Sequence, residues 1–115
     1  MKIKIRDRDG ITIIDLVGEV TIGEGDVALR KEINDIVGQD RLNIILNLTR
    51  VSFIDSSGIG EIVRSYTTVN KHDGRLVLLG LQSKIRDLFA ITRLITIFDT
   101  YENEKEAIDS FKIKN

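Results

Sequence analysis

The chain has 115 residues, 42% of them apolar, enough to bury one core without staples and too few for a second domain, so residues 1–115 are read as one domain. Seventeen basic against 18 acidic side chains leave a net charge of -1, which excludes a strong field of either sign and argues against nucleic acid or an anionic membrane as the main partner. There is no cysteine for a disulfide or thiolate zinc site, the first six residues alternate charge with isoleucine, and no apolar run approaches the roughly 20 residues of a membrane helix; the expectation is a soluble, cytoplasmic protein.

In chain order, Lys2 to Arg6 and Ile11 to Val17 are β-rich runs around Asp7-Arg8-Asp9-Gly10, whose Asp-Gly pair suits a hairpin turn. After Gly18 to Gly25, the residues Leu29, Ile33, Ile36 and Val37 recur at helical spacing, with Asp26 placed to cap the helix and Gly38 to end it. Leu42 to Leu48 has the near-continuous apolar pattern of a strand covered on both faces, and Val51 to Ile54 extends or bends it. Ser56 to about His72 is a second helix with Ile59, Ile62, Val63, Tyr66 and Val69 in period, ended by Asp73-Gly74 before a strand at Leu76 to Leu79. Ser83 is placed to cap a short helix through Ile85, Leu88 and Phe89, and a strand is expected around Ile95 to Phe98. Asn103 with Glu106 resembles a capping box before Ala107, Ile108 and Phe111. The fold class is therefore α/β: a mixed sheet of four to five strands with an N-terminal hairpin, flanked by about four helices.

The corner Asp55-Ser56-Ser57-Gly58 stands where a strand turns abruptly into helix. Asp55 as N-cap has its carboxylate within reach of the Ser57 or Gly58 amides, and Ile54 and Ile59 take the two positions of a hydrophobic staple. Counting about 100° per residue from the stripe of Ile59, Ile62, Val63 and Tyr66, Ser57 comes out opposite the core with Glu61 and Arg64, and Ser56 at the core margin. A phosphate on a first-turn hydroxyl is tolerated by the helix dipole, whereas its charge of about -1.5 to -2 spoils any surface closed over a neutral serine. Those four residues alone are read more readily as a helix cap than as a switch.

The longer segment Leu48-Thr49-Arg50-Val51-Ser52-Phe53-Ile54-Asp55-Ser56-Ser57-Gly58-Ile59-Gly60 resembles the signature of the STAS domains of bacterial anti-sigma-factor antagonists. Supporting similarity covers Leu16-Val17-Gly18-Glu19, Leu29-Arg30, Ile45-Leu46-Asn47-Leu48, and Gly80 through the short helix to Phe89. The resemblance implies a sheet flanked by helices and a partner serine kinase of the GHKL ATPase type acting as anti-sigma factor. It also implies a PP2C-type phosphatase, and phosphorylation on the second serine of the pattern, Ser57. The expected partner surface is Asp55, Ser56, Ser57, Gly58, Ile59, Gly60 and Glu61, with Gly58 and Gly60 admitting the partner backbone. One departure is Gly18-Glu19-Val20-Thr21, where the family often has an acidic residue at the position of Thr21.

His72, the one histidine, lies about 22 Å along the helix from Ser57, which excludes a Ser-His dyad within the chain and leaves His72 a polar residue near the helix end. No metal and no cofactor are expected: ligands are few, and Gly18, Gly23 and Gly25 fit no phosphate-binding motif and read as a flexible loop. Asn47-Leu48-Thr49 matches a glycosylation acceptor but falls in a buried-type strand. Leu88-Phe89 and Ile95 to Phe98 are open between a partner patch and core. The expected function is a binding module and not an enzyme. Its rivals are a STAS scaffold or transporter-associated module that is never phosphorylated, and a small nucleotide-handling enzyme with Ser57 as nucleophile.

Overall fold

Asp9 and Gly10, with φ of 54° and 79°, form the two-residue turn whose left-handed backbone matches strand twist, and Arg8 faces Ile11 across it. The computed structural model describes residues 1–112. The elements are β1 (Lys2–Arg8), β2 (Ile11–Val20), α1 (Gly25–Gly38), β3 (Asn43–Ile54), α2 (Ser56–Lys71), β4 (Arg75–Leu79), α3 (Ser83–Ile91), β5 (Thr100–Tyr101) and α4 (Glu104–Ser110), with one 3-10 turn at Leu94–Thr96. The sheet order is β1-β2-β3-β4-β5, antiparallel only in the hairpin and parallel thereafter. This is the mixed sheet with N-terminal hairpin expected from the sequence.

Strand β3 is central, and its Ile44, Ile45, Leu46 and Leu48 are fully buried because helices cover both faces of the sheet. On one face, Ile14, Leu16, Ile44, Leu46 and Leu78 meet Leu29 and Ile33 of α1, Ile62 and Val69 of α2, and Ile85 and Phe89 of α3. On the other, Ile11, Ile13, Ile45, Val77 and Leu79 meet Ala107 and Ile108 of α4, with Tyr101 and Phe111 packed at the margin. Each fully buried Leu or Ile contributes about 1.5–3 kcal/mol.

Four local expectations are corrected. Ile95 to Phe98 is not a strand: Arg93, at φ 64°, turns the chain, Phe98 drops into the core against Tyr66 and Phe89, and pairing with β4 begins at Thr100 and Tyr101. Ser83 is the first helical residue and makes no cap bond, since α3 is preceded by Gln82, whose amide donates to the Thr49 carbonyl. Asp26 lies inside the first turn of α1, where its carboxylate accepts from the Gly23 and Val27 amides. The glycine-bearing loop before α1 is tied by that bond, by Asp55 on the Ile22 amide and by the Met1 ammonium on Glu24.

Candidate functional site

Strand β3 ends at Ile54, Asp55 stays extended, and α2 begins at Ser56. One Asp55 carboxylate oxygen accepts from the Gly58 amide at 2.9 Å, as the cap reading requires, and the other accepts from the Ile22 amide at 2.9 Å. These amides, Gly58 first and Ile22 second, hold the Asp55 carboxyl below the usual carboxylate range. The side chain that starts α2 therefore also fixes the loop leaving β2.

Gly58 is buried, and a Cβ there would lie 2.1 Å from the Val20 carbonyl oxygen; a Cβ on Gly25, the first residue of α1, would lie 2.8 Å from the Glu19 oxygen. Both helices begin hard against the end of β2, which brings their first turns together. The close approach at Gly58 is thus internal and not available to a partner. Gly60 is exposed with open space around it, and Ile59 is half-buried.

The two serines exchange the positions read from the helical stripe: Ser56 is exposed and Ser57 half-buried. The buried face of α2 is Gly58, Glu61, Ile62, Ser65 and Val69, whose centre lies about 90° from that of Ile59, Ile62, Val63 and Tyr66. The helix is rolled because it meets α1 as well as the sheet, and small residues suit the tighter contact. Val63 and Tyr66 remain half-buried on the flank of the core.

Glu61, expected on the exposed face, is only 2% exposed. Arg30 of α1 donates Nε–H to it at 2.9 Å and Arg64 donates Nε–H at 3.0 Å, so the carboxylate is buried with two cationic partners. The signal for this was present as Gly58, Glu61, Ile62, Ser65 and Val69, a second helical stripe hidden because it mixes small, charged and apolar residues.

Sequence reasoning also missed exposed apolar side chains around the corner. Ile22 is 72% exposed, Val27 in the first turn of α1 57%, and Phe53, two residues before Asp55, 51%. Beyond Phe53 a groove of about 250 Å³ is lined by Ser52, Phe53, Ile54, Lys84, Ile85 and Leu88. Phe89 and Phe98 belong to the core and not to a surface patch, whereas Leu88 is half-buried at the groove. His72 ends α2 with Nδ1 2.9 Å from the Thr68 carbonyl oxygen, and the Asn47 amide donates to Asp15. Among the described residues no three His, Asp or Glu side chains gather as a metal site, and no helix is long and apolar enough to cross a membrane.

Among the described residues, a five-stranded mixed sheet with three helices on one face and one on the other, and an Asp-capped Ser-Ser corner, make up a STAS-type domain. The STAS domain family model matches residues 2–107, and the chain belongs to that family. An anti-sigma F factor antagonist of Paenibacillus polymyxa is 25% identical over 114 residues, spanning 98% of this chain and 97% of its own. An anti-sigma-B factor antagonist of Listeria monocytogenes is 33% identical over 110 residues, spanning 92% and 91%. Among solved structures, the Bacillus cell fate determinant SpoIIAA in its phosphorylated form superposes with a TM-score of 0.75 at 27% identity over 96% of this chain and 99% of that one.

Proposed function

We propose that this protein is an anti-sigma-factor antagonist that acts in the cytoplasm by partner switching. Its unphosphorylated form binds an anti-sigma factor that is also a serine kinase of the GHKL ATPase type. Phosphorylation of Ser57 releases that partner, and a PP2C-type phosphatase restores binding. The observation that carries the reading is a half-buried neutral serine in the first turn of α2, at the meeting point of segments that expose Ile22, Val27 and Phe53.

A partner closing over those side chains gains about 25 cal/mol for each Å² of apolar surface removed from water. A phosphate in the middle forfeits that gain, because its charge must be desolvated with the surface. Asp55 shapes the corner, while Ser56, Ile59 and Gly60 complete the contact; Gly58 and Glu61 act from inside the fold. Similarity to a protein solved in a phosphorylated form is consistent with this reading.

The test incubates the protein and its Ser56→Ala and Ser57→Ala variants with a GHKL-type kinase encoded beside its gene, and follows phosphate incorporation and complex formation together. Incorporation should survive Ser56→Ala and vanish in Ser57→Ala, and Ser57→Asp should fail to hold the kinase. Undiminished incorporation in Ser57→Ala sinks the proposal.

A further inference from the structure

Helices α1 and α2 run side by side in the same sense, since Arg30 meets Glu61 and Asn34 meets Arg64 one turn further along both. On α2, Ser57 lies within about 40° of Glu61 and about 20° of Arg64 around the helix axis, so all three face α1. Glu61 is four residues beyond Ser57, a spacing of about 5–6 Å between Cβ atoms, and helical side chains lean toward the N-terminus. The buried Glu61 carboxylate, held by Arg30 and Arg64, therefore belongs to the residue one turn along from the serine that the proposed function has modified, on the same side of the helix.

A phosphate on Ser57 would meet that carboxylate as a like charge. The local donors differ in what they have left. Arg64 is committed through Nε to Glu61, through one terminal nitrogen to Asn34 and through the other to Thr68. Arg30 uses only Nε, its side chain is 55% exposed, and its two terminal nitrogens have no hydrogen-bond partner among the described residues. The neighbouring carboxylates of Asp26 and Asp55 are already held by backbone amides.

We infer that Arg30 is the phosphate receiver of this domain: its terminal nitrogens take the phosphate on Ser57 while its Nε stays on Glu61. The inference rests on Ser57 being the modified residue. One guanidinium then offsets part of the new dianion's charge and shields it from Glu61, so the fold tolerates the modification. The surface meanwhile exchanges an accessible cation for a paired, anionic cluster. The first-turn amides of α2 assist but cannot discharge the repulsion from Glu61.

The test uses a Ser57→phosphoserine chain made by biosynthetic incorporation, so that it needs no kinase, and follows the phosphate by phosphorus NMR across pH. With Arg30 present its second ionisation should fall below the usual value of about 6. Arg30→Gln should raise the midpoint by roughly one pH unit, the size of effect expected for losing an adjacent opposite charge. Arg50→Gln, beside Val17 and Asn47 at the groove away from this corner, should leave it unmoved. Repeating the Arg30 change in a Glu61→Gln background removes any risk that an orphaned buried carboxylate unfolds the chain, and the same direction of shift is expected. A midpoint indifferent to Arg30 in both backgrounds overturns the inference. A kinase that ignores Ser57 overturns the proposed function and leaves the titration result standing.

Discussion

Asp55 holds two segments with one carboxylate, and the two oxygens are not replaceable by one. In Asp55→Asn a single acceptor remains and the amide group opposes either the Gly58 or the Ile22 N–H. The variant should unfold at lower urea than the wild type at pH 7. Because the Asp55 carboxyl is held below its ordinary value near 3.8, its stabilisation is complete above that value and is lost as pH falls through the depressed one. Urea melts between pH 7 and pH 2 should show the two proteins converging on the acid side; a gap that widens there contradicts the assignment. The glycines of the same turn give an opposed pair. Gly58→Ala forces a methyl to 2.1 Å from the Val20 oxygen and should cost about 3 kcal/mol. Gly60→Ala enters open space inside a helix and should gain about 0.5–1 kcal/mol, with weaker partner capture if Gly60 is in the contact.

At the scale of elements, what was legible followed repeated apolar spacing. Leu29, Ile33, Ile36 and Val37 announce α1, the run Leu42 to Leu48 announces a doubly covered strand, and Asn103 caps α4 by accepting from the Glu106 amide at 3.1 Å. The roll of α2 was hidden because its buried stripe contains Glu61 and Ser65, which only a neighbouring helix makes intelligible. Ile95 to Phe98 misled for the converse reason: an apolar run with strand composition is broken by a left-handed Arg93 that composition does not disclose. The end of α1 was read at Gly38 and that of α2 at Asp73-Gly74, and in the structure both helices close through a left-handed aspartate. Asp40 (φ 62°) and Asp73 (φ 63°) donate to the Val37 and Asn70 carbonyls, and the next amides, Arg41 and Gly74, reach back to Ile36 and Val69. Replacing either aspartate by glycine should relieve the left-handed cost and stabilise by about 0.5–1 kcal/mol. The sites are on separate helices, so chemical denaturation of the double variant should give nearly the sum.

Among the described residues the helices are divided three to one, and α4 is the one helix on its side of the sheet, with Tyr101 and Phe111 at the margin. Seven residues are too few to hold a helix in water, so its docking must supply the stability. Ala107 and Ile108 give the apolar part, and Glu104 gives the polar part by accepting from Arg6 and Arg8 of β1, a contact across 98 and 96 positions that no local pattern reveals. Hydrogen bonds from Arg6 first, then from Arg8, pull the Glu104 carboxyl down from 4.5 to about 2, and the same pairing raises Arg6. A depressed carboxyl stabilises fully above its unfolded value and loses that contribution as pH drops from about 4.5 toward 2. Glu104→Gln should therefore cost about 1–2 kcal/mol at neutral pH, allowing for screening at a partly exposed site. Urea denaturation should show that deficit constant from pH 7 to about 5 and gone near pH 2, with amide exchange in α4 faster in the variant only over the upper range. A deficit that persists undiminished to pH 2 would place the cost in lost packing and not in the charge pair that fastens α4 to the hairpin.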